Sequence, residues 1–206
     1  MPANFDPVAN LYRTLEYLAF GPALWNCRTT FLPNLSSAHR VLMAGEGDGR
    51  FLAAFLAAYP EASVDYYDAS EKMLAIARNR VSAHAERVRF FHADLLSTKL
   101  PEGRYDTLIT HFFLDCFKFE EVAALISNLS KAAKPGARWI LSEFQDRNLV
   151  TRSITRGLYA FFRLTTGLRN RRIPDYRKAL RSAGFQIRES HPKLRGLLIA
   201  EAWQRG

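Results

Sequence analysis

Three glycines alternate with acids in Gly45-Glu46-Gly47-Asp48-Gly49, directly after the apolar run Val41-Leu42-Met43-Ala44. Glycines at such a place let backbone pass close to a ligand, and the helix that follows offers its N-terminal N–H groups. A dinucleotide fingerprint would need its third glycine where Arg50 stands, so the spacing disfavours NAD and FAD. A second short run ends in Asp68, about twenty residues beyond the glycines, where a carboxylate is placed to accept hydrogen bonds from ribose hydroxyls. Asp65 is its rival; Asp68 is preferred because it is nearer the end of the run and directly precedes the Ser70 cap. Asp94, in Ala93-Asp94-Leu95-Leu96, is a third carboxylate that suits either an adenine amino group or a turn.

The elements that must hold these residues are legible from periodicity. Short apolar runs at 41–44, 63–67, 88–91, 105–113 and 137–144 read as strands, and 51–57, 70–86 and 119–133 between them read as helices. This alternation implies right-handed βαβ units and a parallel sheet covered on both faces. Residues 185–190 and 197–203 are joined by a turn too short for a crossover, so they form an antiparallel pair. Ahead of the first strand, Val8, Leu11, Tyr12, Leu15 and Leu18 at helical spacing and the break at Gly21-Pro22 predict two short helices within 7–32. The predicted fold is an α/β, Rossmann-like doubly wound sheet, mostly parallel, with a C-terminal antiparallel hairpin, N-terminal helices and a helical lid. We expect one domain over 1–206: a helical extension at 1–38, a cofactor-binding core at 39–145, a lid at 146–172, and a last helix with the hairpin at 173–206.

Bulk composition excludes several classes. With 206 residues, 48% hydrophobic and 24% charged, the chain is of ordinary globular type. No window reaches a membrane-spanning apolar length and the N-terminus lacks a signal-peptide layout, so a soluble, cytoplasmic protein is expected. Cys27 and Cys116 have no paired Cys/His spacing, which disfavours disulfide or zinc frameworks and predicts no metal; both are read as plain buried thiols. The net charge of +9 is regional, because residues 146–195 hold thirteen Lys/Arg against three Asp/Glu. A regional positive field points to an anionic partner such as a phosphorylated substrate, a lipid surface or nucleic acid.

Four segments in order resemble the class I S-adenosylmethionine-dependent methyltransferases. Val41 to Gly49 is similar to the glycine-rich first motif, and Asp68-Ala69-Ser70-Glu71-Lys72-Met73-Leu74 to the ribose-binding segment. Phe90-Phe91-His92-Ala93-Asp94 resembles the adenine-contacting motif, and Tyr105-Asp106-Thr107-Leu108-Ile109 the fourth-strand motif. The resemblance implies S-adenosyl-L-methionine as cofactor, with Gly45, Glu46, Gly47, Gly49, Asp68, Ala69, Met73, Ala93, Asp94 and Leu95 as its contacts. One departure is Met43, which stands where the family usually has an acid. A weaker resemblance to ubiquinone and menaquinone C-methyltransferases rests on Leu141-Ser142-Glu143-Phe144, on the aromatic stretch 158–162, and on Ile173-Pro174-Asp175 leading to Ala183-Gly184-Phe185.

Methyl transfer needs proximity and orientation, plus a base where the acceptor must lose a proton. His111, five residues after Asp106, is the candidate catalytic base; its alternative is a hydrogen-bonded histidine at a strand end. The Asn/Asp-Pro-Pro-Tyr pattern of amino-group methyltransferases is absent there, and so is a Pro-Cys nucleophile, which favours an oxygen or activated carbon acceptor. Tyr12, Tyr17, Phe112, Phe113, Glu143, Phe161 and Phe162 are the candidate acceptor contacts, core packing being the alternative for the aromatics. Arg152, Arg156 and Arg163 share one helical face, opposite Ile154, Leu158, Phe161 and Phe162. That face suits solvent, an anionic membrane surface or, less well, RNA. The leading expectation is a methyltransferase of a small apolar, lipid-like or quinone-like molecule. An RNA methyltransferase, or a non-catalytic cofactor-binding protein of the same fold, is the alternative, and oligomeric state is left open.

Overall fold

Alternation along the strands sorts the side chains into two cores. The computed structural model describes residues 20–146, 151, 153 and 174–206. Helix α1 (Ala23–Arg28) leads into β1 (Arg40–Ala44), α2 (Arg50–Ala58), β2 (Ser63–Asp68), α3 (Glu71–Arg80) and β3 (Val88–His92). After 93–104, which contain no helix, come β4 (Tyr105–His111), α4 (Phe119–Ala132) and β5 (Ala133–Phe144). Helix α5 (Tyr176–Ser182) then precedes β6 (Phe185–Lys193) and β7 (Leu198–Arg205).

The seven strands lie in the order β3-β2-β1-β4-β5-β7-β6. All neighbours from β3 to β5 are parallel, and β7 is antiparallel to both β5 and β6. The predicted Rossmann-like sheet with its antiparallel hairpin is therefore present. Strand order reverses between β1 and β4, and in open α/β sheets ligands bind at such a switch point, outside the carboxyl ends of the strands.

Val41 and Met43 of β1 join the core under α1, α2 and α3, while Leu42 and Ala44 join the one under α4 and α5. Helix α2 buries Phe51, Leu52, Phe55 and Leu56, and α4 buries Val122, Leu125, Ile126 and Leu129, a stripe at helical spacing in each case. The start of α3 is closed by Ser70, whose hydroxyl accepts the Met73 amide at 3.1 Å. Two buried tryptophans of the sheet are paired: Trp139 Nε1 donates to Thr110, and Trp203 Nε1 donates to Glu201, which Arg177 also binds.

Several boundaries differ from the sequence reading. The predicted helix 70–86 ends at Arg80 and continues as a 3-10 turn over 82–87, because Val81 leaves helical geometry. The first strand of the hairpin runs to Lys193, and its connection carries a 3-10 turn at Leu194–Gly196. Strand β4 stops at His111 because Phe112 has φ of +54°, outside extended geometry. Of the expected N-terminal helices, the second is α1, and the first lies outside the described residues. The lid lies outside them too, apart from Asp146, Thr151 and Ser153. Among the described residues no helix is long and apolar enough to cross a membrane. Cys27 is buried, whereas Cys116 is partly exposed, which corrects its reading as a buried thiol.

Gly49, the N-cap of α2, has φ of +74°, and a Cβ there would lie 2.8 Å from the Ala77 Cβ and 2.9 Å from its Cα. Gly103 has φ of +58° with nothing within 4 Å of an added Cβ. Gly103→Ala should therefore cost ~1–2 kcal/mol for the left-handed backbone alone. Gly49→Ala should cost a further ~1–3 kcal/mol for overpacking against α3. Urea unfolding of the two variants reads the difference; equal losses would show that α2 and α3 separate without penalty.

Candidate functional site

The ends of β1, β2 and β3 are tied into one rim by main-chain and carboxylate hydrogen bonds. Gly45 N donates to Tyr67 O at 2.9 Å, and Ala93 N donates to Asp68 O at 3.0 Å. The Asp68 carboxylate accepts the Gly47 amide at 3.3 Å and the Ser70 amide at 2.8 Å. Tyr66 Oη donates to Gly47 O at 2.9 Å from beneath the loop, and His92 Nε2 lies 3.1 Å from Ala69 O. The predicted contacts Gly45, Glu46, Gly47, Gly49, Asp68, Ala69 and Ala93 are thus assembled along one edge, with Met73 buried behind Gly47.

The three glycines have different reasons for being glycine, although all have positive φ. A Cβ on Gly45 would lie 2.0 Å from the Phe113 ring, and one on Gly49 would collide with Ala77. Above Gly47 the nearest atom to an added Cβ is Met73 Sδ at 3.9 Å. Gly45 and Gly49 are therefore explained by packing within the protein, and Gly47 is the position where backbone faces open space. Together with the Asp68 carboxylate, this cradle fits a nucleoside-bearing ligand such as S-adenosylmethionine.

Asp65, the rival ribose acceptor, is engaged by side chains of the protein, whereas Asp68 meets main-chain amides of the rim. Asp65 receives hydrogen bonds from Arg89 Nε at 2.7 Å and Tyr105 Oη at 2.6 Å, with Arg104 Nε at 3.5 Å. Asp94 closes its own turn, Oδ1 accepting the Leu96 amide at 3.0 Å while its carbonyl accepts from Ser97 and Thr98. Leu95 is buried in the core under α4 and its carbonyl accepts from Asn128. Asp106 lies at the opposite edge, where its carboxylate receives the His39 and Arg40 amides and fixes β1 against β4.

At the switch point Glu46, His111 and Arg28 are buried together. Glu46 is 4% exposed and His111 1%, and among the described residues neither carboxylate oxygen nor either ring nitrogen has a hydrogen-bond partner. Burial pushes the Glu46 carboxyl up to about 8, against the opposing charge of Arg28. Burial, with Arg28 second, holds His111 well below its usual range, and in place of a ring hydrogen bond among the described residues the imidazole packs edge-on against Phe51, ring centroids 4.7 Å apart.

The segment after His111 is held in a costly conformation. Phe112 keeps φ of +54° while its amide donates to Ser142 O at 2.6 Å, and its ring lies 5.1 Å from Phe144 and 5.2 Å from the Arg28 guanidinium. A bulky residue there costs ~1–3 kcal/mol and persists only when its surroundings over-determine it. Glu143 supplies that constraint, one oxygen accepting the Leu114 amide at 2.9 Å and the Phe113 amide at 3.3 Å. Glu143, an expected acceptor contact, is buried, and the bonds it makes hold the backbone of Phe113 and Leu114. Burial and the charge of Asp115 push its carboxyl well above the ordinary range. Tyr12, Tyr17, Phe161 and Phe162 lie outside the described residues.

Arg28 was not singled out in the sequence. Its signal is a single cation closing the apolar turn Ala23-Leu24-Trp25-Asn26-Cys27, whose neighbours are core residues. Tyr66, the hydroxyl under Gly47, gave the weaker signal of a phenol in the middle of a buried strand.

Residues 41–136 match a family model described as a methyltransferase domain. Demethylmenaquinone methyltransferase of Thermus thermophilus is 32% identical over 142 residues, which cover 68% of this chain and 64% of that protein. The chain therefore spans less than two thirds of that relative's length. Magnesium protoporphyrin IX methyltransferase from Synechocystis PCC 6803, solved with bound SAH, has TM-score 0.75 at 23% identity, over 98% of this chain and 96% of that one. The S-adenosylmethionine-dependent methyltransferase SibL, solved in its apo form, has TM-score 0.73 at 25% identity, over 95% and 57%.

The raised Glu46 carboxyl has a sign that can be measured on the ligand-free protein. The unfolded acid ionises near 4.5 and the folded one near 8. Stability is unaffected below the first value, falls as pH rises between the two, and levels above the second. Glu46→Gln removes this slope, so the variant should gain on the native chain by up to ~1.4 kcal/mol per pH unit across that window. Urea unfolding at several pH values checks it; parallel curves would mean the folded carboxyl is already ionised.

Proposed function

We propose that this chain, which belongs to the class I S-adenosylmethionine-dependent methyltransferase family, methylates an oxygen or activated carbon of a small, apolar, quinone-like molecule. When bound, the cofactor supplies an electrophilic methyl group on a sulfonium. In this reading Gly47 and its neighbours approach the amino-acid end, Asp68 accepts from the ribose, and Ala69, Met73, Ala93, Asp94 and Leu95 border the adenine. The observation that carries it is the rim itself: the Gly47 cradle, Asp68 and Ala93 share one hydrogen-bonded edge at the switch point. Asp94 has one oxygen in its turn, so its adenine contact falls to the other.

The acceptor side supports an uncharged organic molecule over a polyanion. Burial favours the neutral forms of Glu46, Glu143 and His111, and phenylalanines 112 and 113 supply apolar wall. The quinone-like class rests on the demethylmenaquinone methyltransferase relative. His111 is assigned the proton-accepting role where the acceptor carries a hydroxyl. Its low affinity for protons keeps it unprotonated throughout the neutral range, so turnover should show no histidine inflection near 6.5.

Two measurements test this. Asp68→Asn should weaken S-adenosylmethionine binding by about one to two decades, the worth of a charge-assisted hydrogen bond of ~1.5–3 kcal/mol. Unchanged calorimetric affinity in a folded variant would remove Asp68 from the ribose. His111→Ala should lower turnover on a demethylmenaquinone-type acceptor by ~10²–10⁴-fold with cofactor affinity unaltered. Unaltered turnover would return His111 to packing against Phe51.

A further inference from the structure

We propose that the Glu46 carboxyl is the counter-group for the ammonium of the cofactor's amino-acid end, and that it gives up a proton when that end binds. The inference rests on the cofactor reading above and adds which residue meets the cationic group and what binding does to protonation. Glu46 lies in the glycine loop beside Gly47, where backbone faces open space, and at the carboxyl end of β1 next to the switch point. Its side chain is buried, and among the described residues neither oxygen accepts a hydrogen bond. A buried acid left in this state is stable only as the neutral form or beside an arriving cation.

Its surroundings decide between those states. Arg28 from α1 is the cation that faces it and favours the ionised form. Asp48 in the same loop and Asp68 at the end of β2 oppose ionisation, and Tyr66 of β2 lies within reach of the same charges. The balance leaves the carboxyl protonated at neutral pH, so Arg28 alone does not hold it as an anion. A second cation at the loop tips the balance. The step conserves charge and atoms: the carboxyl O–H bond breaks, the proton passes to solvent, and the carboxylate accepts an N–H from the ammonium.

Three probes divide the cofactor by charge. S-adenosylmethionine carries the amino-acid ammonium and carboxylate and a sulfonium, S-adenosylhomocysteine the ammonium and carboxylate without the sulfonium, and 5′-methylthioadenosine none of the three. With the native chain, S-adenosylhomocysteine should bind up to tenfold more tightly for each pH unit between 6 and 8, and calorimetry in buffers of different ionisation enthalpy should report proton release. Glu46→Gln should weaken S-adenosylmethionine and S-adenosylhomocysteine about 10–100-fold, abolish the pH dependence and the proton release, and leave 5′-methylthioadenosine unchanged. Equal weakening of all three would overturn the inference in favour of a structural role for Glu46 in the loop. Weakening of S-adenosylmethionine alone would overturn it in favour of the sulfonium. Native-like binding by Glu46→Gln would overturn it while the cofactor reading stands, and a native chain that binds none of the three would overturn both.

Discussion

The end of β2 is the knot on which the candidate site depends. Tyr67 and Asp68 receive the amides of Gly45, Gly47, Ser70 and Ala93, so a single strand terminus orients the loops after β1, β2 and β3. Each bond contributes little net free energy, but an unpaired amide in this partly buried rim would cost more than the bond supplies. The rim is thus pre-formed, and a ligand that enters it does not have to order three loops.

Beside the rim, desolvation governs a set of buried titratable groups. Two glutamates and a histidine are buried at the ends of β1, β4 and β5, and each is driven toward its neutral form. The two glutamates are used differently. Glu143 spends an oxygen on backbone amides and sustains the strained turn at Phe112, whereas Glu46 has no such duty among the described residues. Strain and desolvation concentrated at one edge of an otherwise well-satisfied sheet are the usual physical mark of a working site.

Much of this was legible in the sequence because it is local. The glycine loop, the Asp68-to-Met73 segment and the Ser70 cap are each written within a few residues, and the strand alternation fixed the two cores. What escaped is set by partners distant in sequence. The duty of Glu143 is defined by amides thirty and twenty-nine residues earlier, and the packing of Arg28 by Phe112. The strand end at His111 was overshot because Phe112 and Phe113 have strong strand propensity, which the bonds to Ser142 and Glu143 override. Asp65 and Asp68 could not be separated by type; the difference lies in Arg89, Arg104 and Tyr105 closing around the first.

The dependence of Phe112 on β5 bears on how the molecule folds. Ser142 accepts the Phe112 amide and donates its hydroxyl proton to the Cys27 carbonyl, joining positions 115 apart in sequence. Strand β5 is in turn flanked by β7, so the turn that presents His111 is braced by a layer whose members are far apart along the chain. Closing such loops is slow, because the entropy of bringing distant segments together is spent before their contacts form. The glycine rim, built from neighbouring βαβ units, can organise early in folding. The turn at Phe112 waits for β5 and β7, so a nascent chain would hold the glycine rim before it has the strained turn beside His111.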